Sequence, residues 1–86
     1  MFVHLGYDAM IPVSEIVVIL DKRLITESTV TRQMFQQERA RHRAFGNLDE
    51  AKSLVVTTDG IHFSPMSALT LAHRGEHPVW GEEIGW

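Results

Sequence analysis

The apolar positions of the chain fall into blocks separated by turn-forming residues, and the spacing inside each block predicts its element. Phe2 to Leu5 is a short strand candidate closed by Gly6-Tyr7-Asp8. Met10-Ile11-Pro12-Val13 follows, where the proline suits an edge or a bend rather than a central strand. Ile16-Val17-Val18-Ile19-Leu20 is apolar without alternation, so both of its faces need cover. These blocks give strands near 2-5 and 10-20.

The sharpest turn signal is Asp59-Gly60, between Leu54-Val55-Val56-Thr57-Thr58 and Ile61-His62-Phe63-Ser64. A two-residue Asp-Gly loop favours a type I′ hairpin, because both central residues need positive φ. That register joins strands near 54-58 and 61-64 by pairing Thr58 with Ile61 and Val56 with Phe63. Leu54, Val56, Ile61 and Phe63 then share one face, and Thr57 and His62 the other. Pro65 at a first helical position starts a short helix near 65-74 over Met66, Leu69 and Leu71, closed by Arg74-Gly75. The remaining Gly- and Glu-rich segment, 76-86, reads as an irregular tail.

Between the β blocks the period changes. Thr26 or Ser28 can cap a helix with Glu27 near its positive end, and Gly46-Asn47 can end it, giving a helix near 28-44. At 100° per residue, Arg32, Gln36, Arg39 and Arg43 fall within about 40° to 60° of one another, opposite Val30, Met34 and Phe45. Arg41 falls on the apolar side, where it would have to snorkel. The expected fold is a small β-rich α+β domain over 1-75, followed by the 76-86 tail.

The 86 residues, 44% of them hydrophobic, describe one globular domain rather than a disordered chain. There is no cysteine, which removes disulfides, thiol redox chemistry and thiolate metal sites and fits a reducing cytoplasm. The start lacks the basic residues and long apolar run of a signal peptide, and no run reaches the roughly 20 residues that span a bilayer. A soluble cytoplasmic protein with no membrane partner is expected. So small a domain, with two apolar faces on one strand and little helix to cover them, also points to a homo-oligomer.

Charge changes the picture by its position. The net charge is −3, yet residues 22-52 carry seven cations against four acids, between acidic flanks. Four of the eight cations, Arg32, Arg39, Arg41 and Arg43, lie within fourteen residues beside one acid, Glu38. Guanidinium groups bind phosphate oxygens bidentately, so a stripe of them on one helix can follow a nucleic-acid backbone, with Arg32, Arg39 and Arg43 as contacts and Lys52 as an auxiliary. The same pattern also describes a solvated helix face whose last-turn cations suit the helix dipole.

Other candidate chemistry is thin. His73 and His77 have the i, i+4 spacing of a helical metal pair with Glu76 between them, but Gly75 and Pro78 interrupt any helix through them, so no metal site is expected. Ser64, Ser67, Asp59 and His62 are triad residue types without the glycines of a nucleophile elbow, and the scattered glycines form no phosphate loop. Neither catalysis nor a cofactor is expected. Trp80 and Trp86 either dock on the domain or anchor a protein partner.

The stretches "FVHLGYDAMIPVSEIVVILD", "TESTVTRQMFQQERARHR" and "KSLVVTTDGIHFSPMSALTLAHR" resemble the small bacterial extracellular-matrix regulators of the RemA/RemB family, above all its RemB branch. The resemblance covers residues 1 to about 74. It implies a non-enzymatic transcription regulator of biofilm-matrix genes, built on a LytTR-like domain, that binds DNA as a ring-shaped homo-oligomer. RemA-like chains carry an arginine cluster just before the strand that here begins at Leu54. This chain has "NLDEAKS", in which Lys52 is the one cation and Asp49 and Glu50 reverse the sign. The helix arginines are then the remaining basic surface. The alternative is a scaffold that acts on a related regulator protein without touching DNA.

Overall fold

The computed structural model describes residues 2–6, 9–75 and 79–80. Strands β1 (Phe2–Gly6) and β2 (Ala9–Pro12) form an antiparallel hairpin, and a 3-10 turn (Val13–Glu15) leads into β3 (Ile16–Asp21). Helices α1 (Leu24–Glu27) and α2 (Thr29–Ala40) follow, then β4 (Ala44–Phe45), β5 (Ser53–Thr57), β6 (Gly60–Ser64), α3 (Ala68–Gly75) and β7 (Val79–Trp80). The main sheet has the order β4-β6-β5-β3-β7, antiparallel at its centre and parallel at both two-residue edges. The α+β class read from the pattern is the one observed, and Val79–Trp80 of the 76-86 segment pairs with Ile19 and Leu20.

Both faces of the main sheet are covered by the chain itself. On one side Val3, Leu5 and Ile11 of the hairpin and Ala68, Leu71 and Ala72 of α3 pack on Ile16, Ile19 and Val55. On the other, Phe35 of α2 packs on Leu20, Leu54 and Ile61, with Leu24, Ile25, Met34 and Leu48 around it. The predicted run 10-20 is therefore not one strand. Pro12 closes β2, the 3-10 turn reverses the chain, and β1 with β2 becomes a lid on the sheet that β3 enters. Cover for β3 thus comes from within the chain, where the sequence pattern pointed to association as its source.

A bulge explains how an unalternating strand serves two cores. Ile16 pairs with Thr57 and Val18 with Val56, so Val17 is the extra residue and stands 60% exposed. The slip puts Ile16 and Ile19 on the lid side and Val18 and Leu20 on the helix side.

The hairpin around Asp59-Gly60 forms with a shifted register. Thr57 pairs with Gly60, Val56 with Ile61 and Leu54 with Phe63, so the loop residues are Thr58 and Asp59. Neither has positive φ; Gly60 does, at 140°. Thr57 fixes this turn, its Oγ1 accepting from Asp59 N at 3.1 Å and donating to Gly60 O at 3.1 Å. The shift is two residues, which preserves sidedness, so Leu54, Val56, Ile61 and Phe63 still share the helix side.

Both expected helices are shorter than predicted. Ser28 caps α2, its Oγ accepting from Thr31 N at 3.2 Å. The helix stops at Ala40 rather than near 44 because His42 turns left-handed, with φ 59°. His42 N donates to Arg39 O and Arg43 N to Glu38 O at 2.7 Å, the paired reverse bonds of a Schellman end with His where Gly is usual. The buried face is Thr31 and Phe35; Val30, expected on it, is 76% exposed, and Phe45 lies on β4. α3 begins at Ala68 because Ser67 Oγ caps Thr70 N at 3.1 Å. Pro65 and Met66 are instead held by buried serines, Ser64 Oγ accepting from Met66 N and Ser53 Oγ donating to Met66 O.

Two substitutions test these backbone constraints. His42→Gly relieves a left-handed non-glycine residue and is expected to stabilise the protein by about 0.5–1 kcal/mol, read as a raised Tm. Gly60→Ala puts a Cβ 2.1 Å from the Arg43 carbonyl oxygen at a φ that alanine avoids. It is expected to cost at least about 2 kcal/mol in denaturant unfolding.

Candidate nucleic-acid interface

The cations of the middle third divide by what holds them. Arg23 is forked onto Asp21, with Nε to Oδ1 at 3.0 Å and Nη2 to Oδ2 at 2.9 Å. Arg43, just past the end of α2, folds over the β5–β6 turn. Its Nε donates to Asp59 O at 3.1 Å, its Nη2 donates to Thr58 O at 3.2 Å, and Glu38 Oε2 lies 2.8 Å from the same Nε. The Nε–H is directed at the carbonyl, so the Glu38 contact is ionic. Arg43 is thus half-buried and bound to the turn rather than part of an outward stripe.

Among the described residues, Lys22, Arg32, Arg39, Arg41 and Lys52 have no carboxylate partner. Arg32 lies against the α1–α2 junction, its Nη1 donating to Thr26 O at 3.3 Å. Arg39, seven positions on, lies with its guanidinium carbon 5.8 Å from the centre of the Phe35 ring. Lys22 N donates to Lys52 O at 3.1 Å and Lys52 N to Ser64 O at 2.7 Å, which brings these two lysines together at the end of the sheet.

The loop between β4 and β5 links the two groups. Leu48 and Asp49 border one hollow with Lys22, Arg23, Ile25 and Thr26, and another with Phe35 and Arg39. The sequence reading named Arg32, Arg39 and Lys52, which stay exposed, but missed Lys22, whose proximity comes from a backbone bond between residues 30 positions apart. His77 and Trp86 lie outside the described residues, and of Trp80 only the backbone pairing is described.

The hydroxyls of a conceivable triad are bonded elsewhere. Ser64 Oγ donates to Leu5 O at 2.6 Å, and Ser67 Oγ donates to Thr70 Oγ1 at 2.8 Å. His62 stacks against Phe45 with ring centres 4.9 Å apart, and its Nε2 is buried without a hydrogen-bond partner among the described residues. Burial lowers its pKa below the ordinary 6.5, outweighing the opposite pull of the Asp59 and Glu15 carboxylates.

That shift has a definite sign. The unfolded chain binds the His62 proton more readily than the folded one, so stability is full above pH 6.5 and falls as the pH drops through the lowered folded-state value. Melting curves between pH 7.5 and 5 should show a weaker acid-side decline in His62→Gln than in wild type. Equal slopes would mean that His62 is solvated in both states.

The family model described as "Extracellular matrix regulatory protein A-like" (RemA-like) matches residues 2–74. The Extracellular matrix regulatory protein B of Bacillus subtilis (strain 168) is 30% identical over 77 residues, covering 88% of this chain and 91% of that protein. The match spans the β1–β2 lid, four of the five strands of the main sheet (all but β7), helices α1 and α2, and α3 to its last residue but one. The chain belongs to the RemA-like family of extracellular matrix regulatory proteins.

Proposed function

We propose that this chain is a non-enzymatic transcription regulator of extracellular-matrix genes that binds the DNA backbone as a homo-oligomer. The observation that carries the reading is a set of cations without carboxylate partners among the described residues, the exposed Arg32, Arg39 and Lys52 joined by the half-buried Lys22, on a chain whose overall charge is negative. Guanidinium and ammonium groups without a carboxylate partner are suited to phosphate oxygens. Arg43 serves this surface indirectly, by fixing the end of α2 on the hairpin turn. At physiological salt the screening length is about 8 Å, so a local basic patch is felt before distant acids. Family membership supports the matrix-regulator part of the reading.

Self-association is supported by the outer face of the lid. Val3, Leu5 and Ile11 point into the core, which leaves Phe2 (58% exposed) and Met10 (57% exposed) on the other side. Repeating the cationic surface around an oligomer multiplies phosphate contacts that are weak singly. A cytoplasmic setting fits such a regulator; no helix among the described residues is long and apolar enough to cross a membrane.

The second reading is a scaffold that acts on a related regulator protein. Asp49 and Glu50, both exposed beside Lys52, favour it by placing negative charge inside the basic surface. The tail tryptophans Trp80 and Trp86 are its natural partner contacts.

A salt-titrated DNA-binding assay run beside light scattering separates the two. Each phosphate neutralised steepens the log–log salt dependence by about 0.9, so Arg32→Gln or Arg39→Gln should flatten it by about that amount per occupied copy. Arg43→Gln should lower Tm through the loss of its turn contacts. Absence of DNA binding by the wild-type protein at low salt would leave the scaffold reading.

A further inference from the structure

The hollow between α2 and the β4–β5 loop sets Arg39, one of the proposed phosphate contacts, among groups that phosphate binding does not use. It has a volume of about 400 Å³, within the usual range of small-ligand pockets, and its lining includes Phe35, Arg39, Asn47, Leu48, Asp49 and Phe63. Phe35 and Phe63 meet edge to face with centres 5.8 Å apart and, with Leu48, form an apolar wall. Arg39 lines the same hollow with a guanidinium that makes no hydrogen bond or ion pair among the described residues. Asp49 also lines it. Its backbone N–H is taken by Asn47 Oδ1 at 3.0 Å, which fixes the loop, while its carboxylate has no partner among the described residues.

An anion site, a cation site and an apolar wall around one small hollow match a ligand with three parts. A guanidinium takes a carboxylate bidentately, a carboxylate takes an ammonium group, and the wall takes a hydrocarbon side chain. We infer that this hollow binds a free α-amino acid with an apolar or aromatic side chain, its carboxylate on Arg39, its ammonium on Asp49 and its side chain against Phe35, Phe63 and Leu48. A peptide terminus offers only one of the two charges, and a phosphate leaves Asp49 opposed to it. The negative charge in "NLDEAKS" thereby acquires a use: it selects a zwitterion where a basic loop would select a simple anion.

The site stands independently of DNA binding. If the backbone-binding reading holds, a bound carboxylate occupies one of its contacts, Arg39, and the amino acid weakens DNA affinity. That consequence alone rests on the proposed function, and binding measured without DNA tests the site separately.

The test is calorimetric or NMR titration of the full chain with L-phenylalanine, phenethylamine, 3-phenylpropionate and glycine, which remove nothing, the carboxylate, the ammonium and the side chain in turn. L-Phenylalanine is expected to bind at least about tenfold more tightly than each of the others. In Arg39→Gln its affinity should fall to that of phenethylamine, and in Asp49→Asn to that of 3-phenylpropionate, while unchanged melting shows that both variants fold. Equal binding of phenylalanine and 3-phenylpropionate by the wild type would overturn the proposal in favour of a plain anion site. No saturable shift with phenylalanine at 10 mM, on the order of a 3 kcal/mol interaction, would overturn it altogether.

Discussion

The carbonyl oxygen of Arg43 stands where a side chain at position 60 would begin, and much of the molecule is arranged around that contact. Ile61 N donates to this carbonyl at 2.8 Å, which starts the pairing of β4 with β6. A Cβ at residue 60 would lie 2.1 Å from the same oxygen, so only glycine admits the approach. The left-handed His42 aims Arg43 there, and the Arg43 guanidinium then closes over Thr58 O and Asp59 O. One short segment therefore ends α2, starts β4, closes the β5–β6 turn and sets the distance between helix and sheet across which Phe35 meets Phe63.

The same contact decides which charges reach solvent. A helix running to residue 44 would have carried Arg43 outward in line with Arg32 and Arg39. Ending at Ala40 moves it onto the backbone carbonyls of Thr58 and Asp59, with Glu38 as its counter-ion. Arg23 is removed from the surface charge in a different way, by its two-bond pairing with Asp21. The cations that remain free are fewer than composition suggests, and Lys22 and Lys52 are joined only because the chain returns to the end of β3 after 30 residues. Asp49 lies in the loop bordering both hollows, so the basic surface of this RemA-like chain includes an acid at a defined place.

Small size does not leave the sheet bare. The β1–β2 lid and α3 cover one face and α1 with α2 the other, and the Val17 bulge lets a single strand supply both cores. The buried pair Ser53 and Ser64, facing each other across β5 and β6, ties the layers together by bonding Met66 at the approach to α3 and Leu5 in the lid. Among the described residues, the large apolar side chains left exposed are Phe2 and Met10 on the outside of the lid, Val17 at the bulge, Val30 on α2, Phe45 on β4 and Leu69 on α3. An assembly would therefore use surfaces added to a completed core rather than surfaces required to complete it.

Local pattern determined a good deal about this protein. The turn residues and apolar runs place strands near 2-5, 54-58 and 61-64 and the capped helix after Ser28, and the period of two assigns Leu54, Val56, Ile61 and Phe63 to one face whichever even register the hairpin takes. The motifs also carry the family, and the charge distribution marks the middle third as basic. Those features depend on neighbours in sequence, whose spacing is fixed by covalent geometry. Tertiary structure alone decided the division of 10-20 into lid, turn and strand, the left-handed end of α2 at a histidine, the withdrawal of Arg43, and the meeting of Arg39, Asp49, Phe35 and Phe63 around one hollow. Each of these rests on a backbone carbonyl, a bulge or a packing contact between distant residues, and such partners exist only once the sheet has brought them together.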